Sequence, residues 1–196
     1  MRKVTGAALA VLTAASTLVA ISAPAEAAPR KCTVGKWRLT KAAGQVKGPS
    51  STLRFAGGHG TTLQLTPKGR AIYTFTRSAR VTEYGSAKGV PFQLWLKYDK
   101  GVLINAKITG NKKGTITLRP KTATGRATLH GRVMKPAQYP LKKQSFTHLF
   151  KRGQADEALV PLHVSFTCTA KTLRLHQKKK TRTGYTTVAN WSYRRI

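Results

Sequence analysis

The sequence predicts an all-β fold of roughly nine short, mostly antiparallel strands, closed into a barrel or packed as a sandwich. Three observations carry this. Apolar and polar residues alternate with period two through most of the chain, as in Phe92, Leu94, Leu96 and Tyr98 against Gln93, Trp95 and Lys97. Turn-forming residues break the alternation at hairpin spacing, at Pro67-Lys68-Gly69, Asp99-Lys100-Gly101 and Asn111 to Gly114. Helical spacing is confined to one stretch in the second half of the chain.

In chain order, residues 1–27 read as a secretory signal peptide. Arg2 and Lys3 form a basic start, Val4 to Ile21 an apolar run, and Ala25-Glu26-Ala27 a small-x-small cleavage site. Residues 28–196 are then one domain, long enough to bury a full core. The first strand, Thr33 to Lys41, alternates Gly35, Trp37 and Leu39 with Lys36, Arg38 and Thr40. Ala42 to Ser51 and Gly57-Gly58-His59-Gly60 read as loops. Thr61 to Thr66 and Ala71 to Thr76 flank the Pro67 turn, Phe92 to Tyr98 precedes the Asp99 turn, and Val102 to Ile108 follows it. Thr115 to Arg119 and Arg126 to Val133 are two more strands. Between Met134 and Ala158, Phe146, Leu149 and Phe150 fall at helical spacing behind Ser145, an N-cap residue. This predicts a short helix or excursion near 144–158 that covers one end of the fold. Leu162 to Cys168, Thr172 to His176 and Val188 to Ile196 complete the domain.

The 196-residue chain holds 36 Lys and Arg against 5 Asp and Glu, a formal net charge of +31. Loss of the signal segment takes Arg2, Lys3 and Glu26 and lowers that charge by one. Solubility of a small domain asks for a net charge of roughly 2 to 8 in magnitude. The excess points to an extracellular polyanion as partner: teichoic acid, acidic polysaccharide, DNA or anionic headgroups. Such charge gives attraction and fast encounter but carries no sequence specificity. Many cations occupy polar strand positions, among them Lys97, Lys107, Arg119, Arg126, Arg132 and Arg174. The densest run, Lys178-Lys179-Lys180 with Arg182, is expected in the connection between the last two strands, as the polyanion contact.

Cys32 and Cys168 are the only cysteines, and an exported chain makes their pairing the default. The acids left after export are Glu83, Asp99, Asp156 and Glu157. Asp156 and Glu157 point apart if extended, Asp99 sits in a turn, and Glu83 is isolated. The five histidines show no metal-motif spacing, the glycine-rich run lacks the Lys of a phosphate loop, and no nucleophile elbow occurs. The chain is therefore read as non-enzymatic, without cofactor or metal. No stretch after the signal is long and apolar enough to span a bilayer as a helix, so no integral membrane association is expected, and a monomer is expected.

Cys32-Thr33-Val34-Gly35-Lys36-Trp37-Arg38-Leu39, with its Gly-x-Trp, resembles the opening of small secreted lipocalin-like proteins of actinobacteria. Phe166 to Leu175 and Trp191-Ser192-Tyr193-Arg194-Arg195-Ile196 resemble their final hairpin. The resemblance covers about twenty residues at each end. It implies an antiparallel lipocalin-like barrel of about eight to nine strands. Trp37 would plug its closed end, Arg195 would cover that Trp, and a calyx would open opposite. Gly35, Trp37 and Arg195 are then structural, not binding, residues.

Two functions follow as expectations. A small apolar or amphipathic ligand enters a calyx lined by Leu63, Leu65, Phe92, Leu94, Leu96, Val102, Ile104, Leu129, Val164 and Phe166. Alternatively the barrel is solid and its cationic exterior binds a cell-wall or other extracellular polyanion. A membrane-active antimicrobial role is a third class.

Overall fold

The computed structural model describes residues 31–154 and 157–196; the signal segment expected at 1–27 and Asp156 lie outside them. β1 (Gly35–Lys47) is the longest strand among the described residues, and it serves two branches of one sheet. Along one edge its first residues pair with β3 (Thr62–Leu65), while Ala43 to Lys47 pair with β2 (Ser51–Gly57). A β-bulge between Leu39 and Lys41 marks the fork, where added twist lets the two partners diverge. The Gly57-Gly58-His59-Gly60 loop fills the fork: Leu39 N–H donates to Thr61 O, and Gly60 N–H donates to Leu39 O.

β3 and β4 (Arg70–Thr74) join at the predicted Pro67-Lys68-Gly69 turn, with Gly69 at φ 67°. β5 (Val81–Ala87) and β6 (Val90–Asp99) form a hairpin. Asp99 Oδ1 then accepts the Lys100 N–H at 2.8 Å in the turn to β7 (Gly101–Gly110). β8 (Lys113–Leu118), a 3-10 turn at Pro120–Thr122 and the short β9 (Thr124–Gly125) follow. β10 (Thr128–Lys135) and β11 (Tyr139–Ser145) lead into α1 (Phe146–Lys151). β12 (His163–Cys168), β13 (Thr172–Lys180) and β14 (Thr186–Arg195) complete the chain.

The order β1-β14-β13-β12-β8-β7-β4-β3, closed by the β3–β1 pairing, is an eight-stranded antiparallel barrel. β2, β5, β6, β10 and β11 extend the sheet outside it, from the second half of β1. The fold class expected from alternation and turns is therefore found, with the extra strands lying outside the closed ring. Closure removes most strand edges, and alternation sends one face of every barrel strand inward.

Trp37, Leu39, Leu63, Leu65, Tyr73, Val102, Ile104, Val164, Phe166, Leu173, Leu175, Trp191 and Tyr193 are buried inside. Burial raises the Tyr73 hydroxyl well above the ordinary phenol range. It does the same to Tyr193, where Tyr73 adds to the effect, so both stay neutral at any physiological pH.

At the end away from Trp37 lies the helix expected behind Ser145, α1, which packs against the 3-10 turn, β10 and β11. Ser145 Oγ accepts the His148 N–H at 3.2 Å, and Phe146 packs on Phe75, Tyr98 and Phe150 at ring-centroid distances of 5.9, 5.2 and 5.7 Å. Ala158, Leu159 and Val160 are buried at that end too, and the Trp191 indole N–H donates to Ala158 O at 2.6 Å.

Three expectations are corrected. Ala42 to Lys47 is strand, not loop, because pairing with both β2 and β14 holds a segment whose Gly44 and Gln45 hide the alternation. Lys178-Lys179-Lys180 belongs to β13, paired with Val188, Thr187 and Thr186; the connection begins only at Thr181. Of the residues assigned to a calyx, Phe92, Leu94, Leu96 and Leu129 lie on β6 and β10, outside the closed ring.

Candidate functional site

The barrel base is built around one guanidinium. Trp37 and Arg195 are register partners on β1 and β14, and Arg195 Cζ stands 4.1 Å from the centre of the Trp37 ring. Its Nη2 donates to Cys32 O at 2.6 Å, Nη1 to Val34 O at 3.0 Å and Nε to Ala170 O at 2.7 Å. The buried Trp37 indole N–H donates to Thr33 O at 2.8 Å. A Cβ on Gly35 would lie 2.3 Å from Arg195 Nη1, and Gly35 has φ 144°, so glycine clears the path of the guanidinium. The Cys32–Cys168 disulfide, with Cα atoms 6.0 Å apart, ties this layer to the end of β12. The guanidinium's Nε, Nη1 and Nη2 and the Trp37 indole N–H all donate to protein carbonyls, which makes the base a structural clasp.

The outer face of β1, β14, β13, β12 and β8 is different in kind. Inward alternation of Leu173, Leu175 and Gln177 on β13 leaves Arg174, His176, Lys178 and Lys180 outside. On β14, Arg194, Ser192 and Asn190 point outward; on β12, Thr167, Ser165 and His163 do; Lys113 stands on β8. A groove of about 600 Å³ crosses this face between Lys113, Thr167, Ser165, Arg174, Asn190 and Ser192. His176 Nδ1 lies 2.8 Å from Asn190 Oδ1, and His163 Nδ1 lies 2.7 Å from Thr117 Oγ1, so both rings are held by neighbours in the sheet. Arg38 and Arg194 are register partners at the edge nearer the base.

The run expected as the polyanion contact is divided by strand geometry. Lys178 and Lys180 share the outer face with Arg174. Lys179 has the parity of Gln177 and borders a cavity of about 210 Å³ at the barrel end, with Val46, Leu53, Phe55, Glu157 and Gln177. Arg182 lies in the exposed turn beyond. Lys97, read as an exposed cation, is half-buried, and its Nζ donates to Ser78 O.

Alternation alone marks Arg174 as outward. It does not reveal that Ser192 and Thr167 flank it with Lys41 and Lys113 one strand further out, because these come from four other strands.

Among the described residues, no three His, Cys, Asp or Glu side chains gather as a metal site would require, and no helix is long and apolar enough to cross a membrane. No family model, no curated protein and no solved structure matches this chain.

Proposed function

We propose that the protein binds extracellular polyanions through the cationic outer face of its barrel, holding a partner without transforming it. The observation that carries this reading is the separation of charge. The described acids lie elsewhere: Glu83 is buried on β5, Asp99 caps the β6–β7 turn, and Glu157 accepts from the Gln177 amide and the Leu162 N–H at the barrel end. The face with Lys41, Arg174, Lys178, Lys113 and Arg194 is thus left with cations and hydroxyls, and its field attracts any polymer of negative charge. The Cys32–Cys168 bridge supports an oxidising, extracellular setting.

Polyphosphate titration at several salt concentrations tests the reading. Affinity falls linearly on a log–log plot as salt rises, because bound phosphates release counterions. Lys178→Glu with Lys180→Glu weakens binding and lowers the slope by roughly 1.5, since each phosphate left without its cation takes about 0.7 to 0.9 from it. Affinity that is absent, or insensitive to salt, would overturn the proposal.

A second reading rests on the 210 Å³ cavity at the barrel end. Val46, Leu53 and Phe55 form an apolar wall, while Glu157, Gln177 and Lys179 supply polar groups, a division suited to a small amphipathic molecule. Native mass spectrometry of the disulfide-intact protein from culture supernatant distinguishes the two. Under the polyanion reading, adducts are heterogeneous and are stripped by salt. A single stoichiometric adduct of small mass that survives high salt would favour the cavity.

A further inference from the structure

Strand register places five outward side chains in one cross-strand row around the barrel wall. Lys41 on β1 pairs with Ser192 on β14, Ser192 with Arg174 on β13, Arg174 with Thr167 on β12, and Thr167 with Lys113 on β8. Ser192 is half-buried and the other four are exposed. All but Lys41 line the 600 Å³ groove. Neighbouring strands lie about 4.8 Å apart, so at the backbone the cation-bearing positions recur every ~9.6 Å with a hydroxyl-bearing position midway between them. The adjacent row towards the end away from Trp37, Asn190, His176, Ser165 and Thr115, continues the hydrogen-bonding floor without a permanent charge.

We infer that this row is a transverse track for a linear acidic polysaccharide that carries a carboxylate on every second sugar. The inference rests on the polyanion reading above and names the polymer. An extended pyranose ring advances its chain by about one strand spacing. Alternating charged and neutral sugars therefore fall in step with alternating cations and hydroxyls. Arg174, at the centre, offers a carboxylate two parallel N–H donors, while Lys41 and Lys113 offer point charges on either side. Thr167 and Ser192 both donate and accept, which suits the hydroxyls of an uncharged ring. A polymer charged on every unit, such as polyphosphate, would set half its charges over neutral hydroxyls and gain only the general field.

The test compares two triple variants of equal charge loss in the full mature protein. One removes the row, with Lys41→Ser, Arg174→Ser and Lys113→Ser. The other removes exposed cations elsewhere, with Lys68→Ser, Lys121→Ser and Lys143→Ser. The probes are hyaluronan oligosaccharides, which alternate glucuronate with a neutral sugar, and polyphosphate. The row variant loses roughly tenfold or more in affinity for the uronate oligosaccharide, and the remote variant loses less than about threefold, as expected when charge-assisted hydrogen bonds and not the distant field are removed. The row variant also loses polyphosphate affinity, because the row belongs to the cationic face, but by a smaller factor than it loses uronate affinity, while the remote variant loses little of either. Equal losses of uronate affinity in the two variants would overturn the track. Wild-type protein that holds polyphosphate but not the uronate chain would overturn the track and leave the polyanion reading standing. Failure to bind either polymer would remove both.

Discussion

Replacing Cys32 and Cys168 together with alanine lowers the unfolding free energy by about 5 kcal/mol, the chain-entropy value for cysteines 136 residues apart. The size follows from where the bridge lies. It joins a residue three positions before β1 to the last residue of β12, so the crosslinked unfolded chain is constrained over most of the domain. For a domain of this size, each kcal/mol moves the thermal midpoint by about 2–4 °C, which puts the fall at roughly 10–20 °C. Urea titration separates cause from size: the bridge-free variant unfolds to a more expanded chain, so its m value rises as its midpoint falls. A loss under about 1 kcal/mol, with m unchanged, would mean that the bridge does not restrict the unfolded chain.

Arg195→Ala is the second large effect, at about 3–5 kcal/mol. The guanidinium satisfies the carbonyls of Cys32, Val34 and Ala170 and covers the Trp37 ring, and truncation removes all four interactions at once. Arg195→Lys recovers only part of the loss, because an ammonium cannot reproduce three donors fixed in one plane. Denaturant midpoints of the three proteins measure this order, and equal stability of the Lys variant and wild type would refute the fork geometry. The two effects also depend on each other. Cys32 is both a disulfide partner and a carbonyl acceptor of Arg195, so removing the bridge and Arg195 together costs less than the sum of the separate losses. A strictly additive result would show that Cys32 stays in place without its bridge.

Much of the barrel is legible as alternation. The inward sides of β3, β7, β12 and β13 follow from Leu63/Leu65, Val102/Ile104, Val164/Phe166 and Leu173/Leu175, and the turns between their partners carry the Pro, Gly and Asp that such turns demand. The helix is legible through Ser145 and the Phe146–Phe150 spacing. Outside the ring, β6 and β10 are legible in the same way, but β2, β5 and β11 are not. β2 mixes Ser51, Thr52 and Arg54 with a half-buried Leu53, β5 contains Gly85, and β11 contains Pro140 with a run of exposed polar residues. Strands that bury only part of one face, or stand at an edge, have no reason to alternate cleanly. The same limit misplaced the Lys178–Lys180 run, because three consecutive lysines look like a loop until pairing with β14 shows them to be strand.

The resemblance of the two chain ends pointed to the Trp37–Arg195 clasp; the sequence by itself determined the β architecture, the Cys32–Cys168 pairing and the large positive charge. Each of these is written in local pattern, composition or a small count of residues. Only the tertiary structure decided that β1 forks between β2 and β3, that Ala158 to Val160 lie buried at the barrel end, and that Lys41, Ser192, Arg174, Thr167 and Lys113 form one row. Period-two alternation says which face of a strand a side chain takes. It says nothing of its neighbour across the sheet, because a register shift of two residues preserves every face while changing every cross-strand partner. Closure of the barrel and the bulge in β1 set that register, and with it the spacing of the cations.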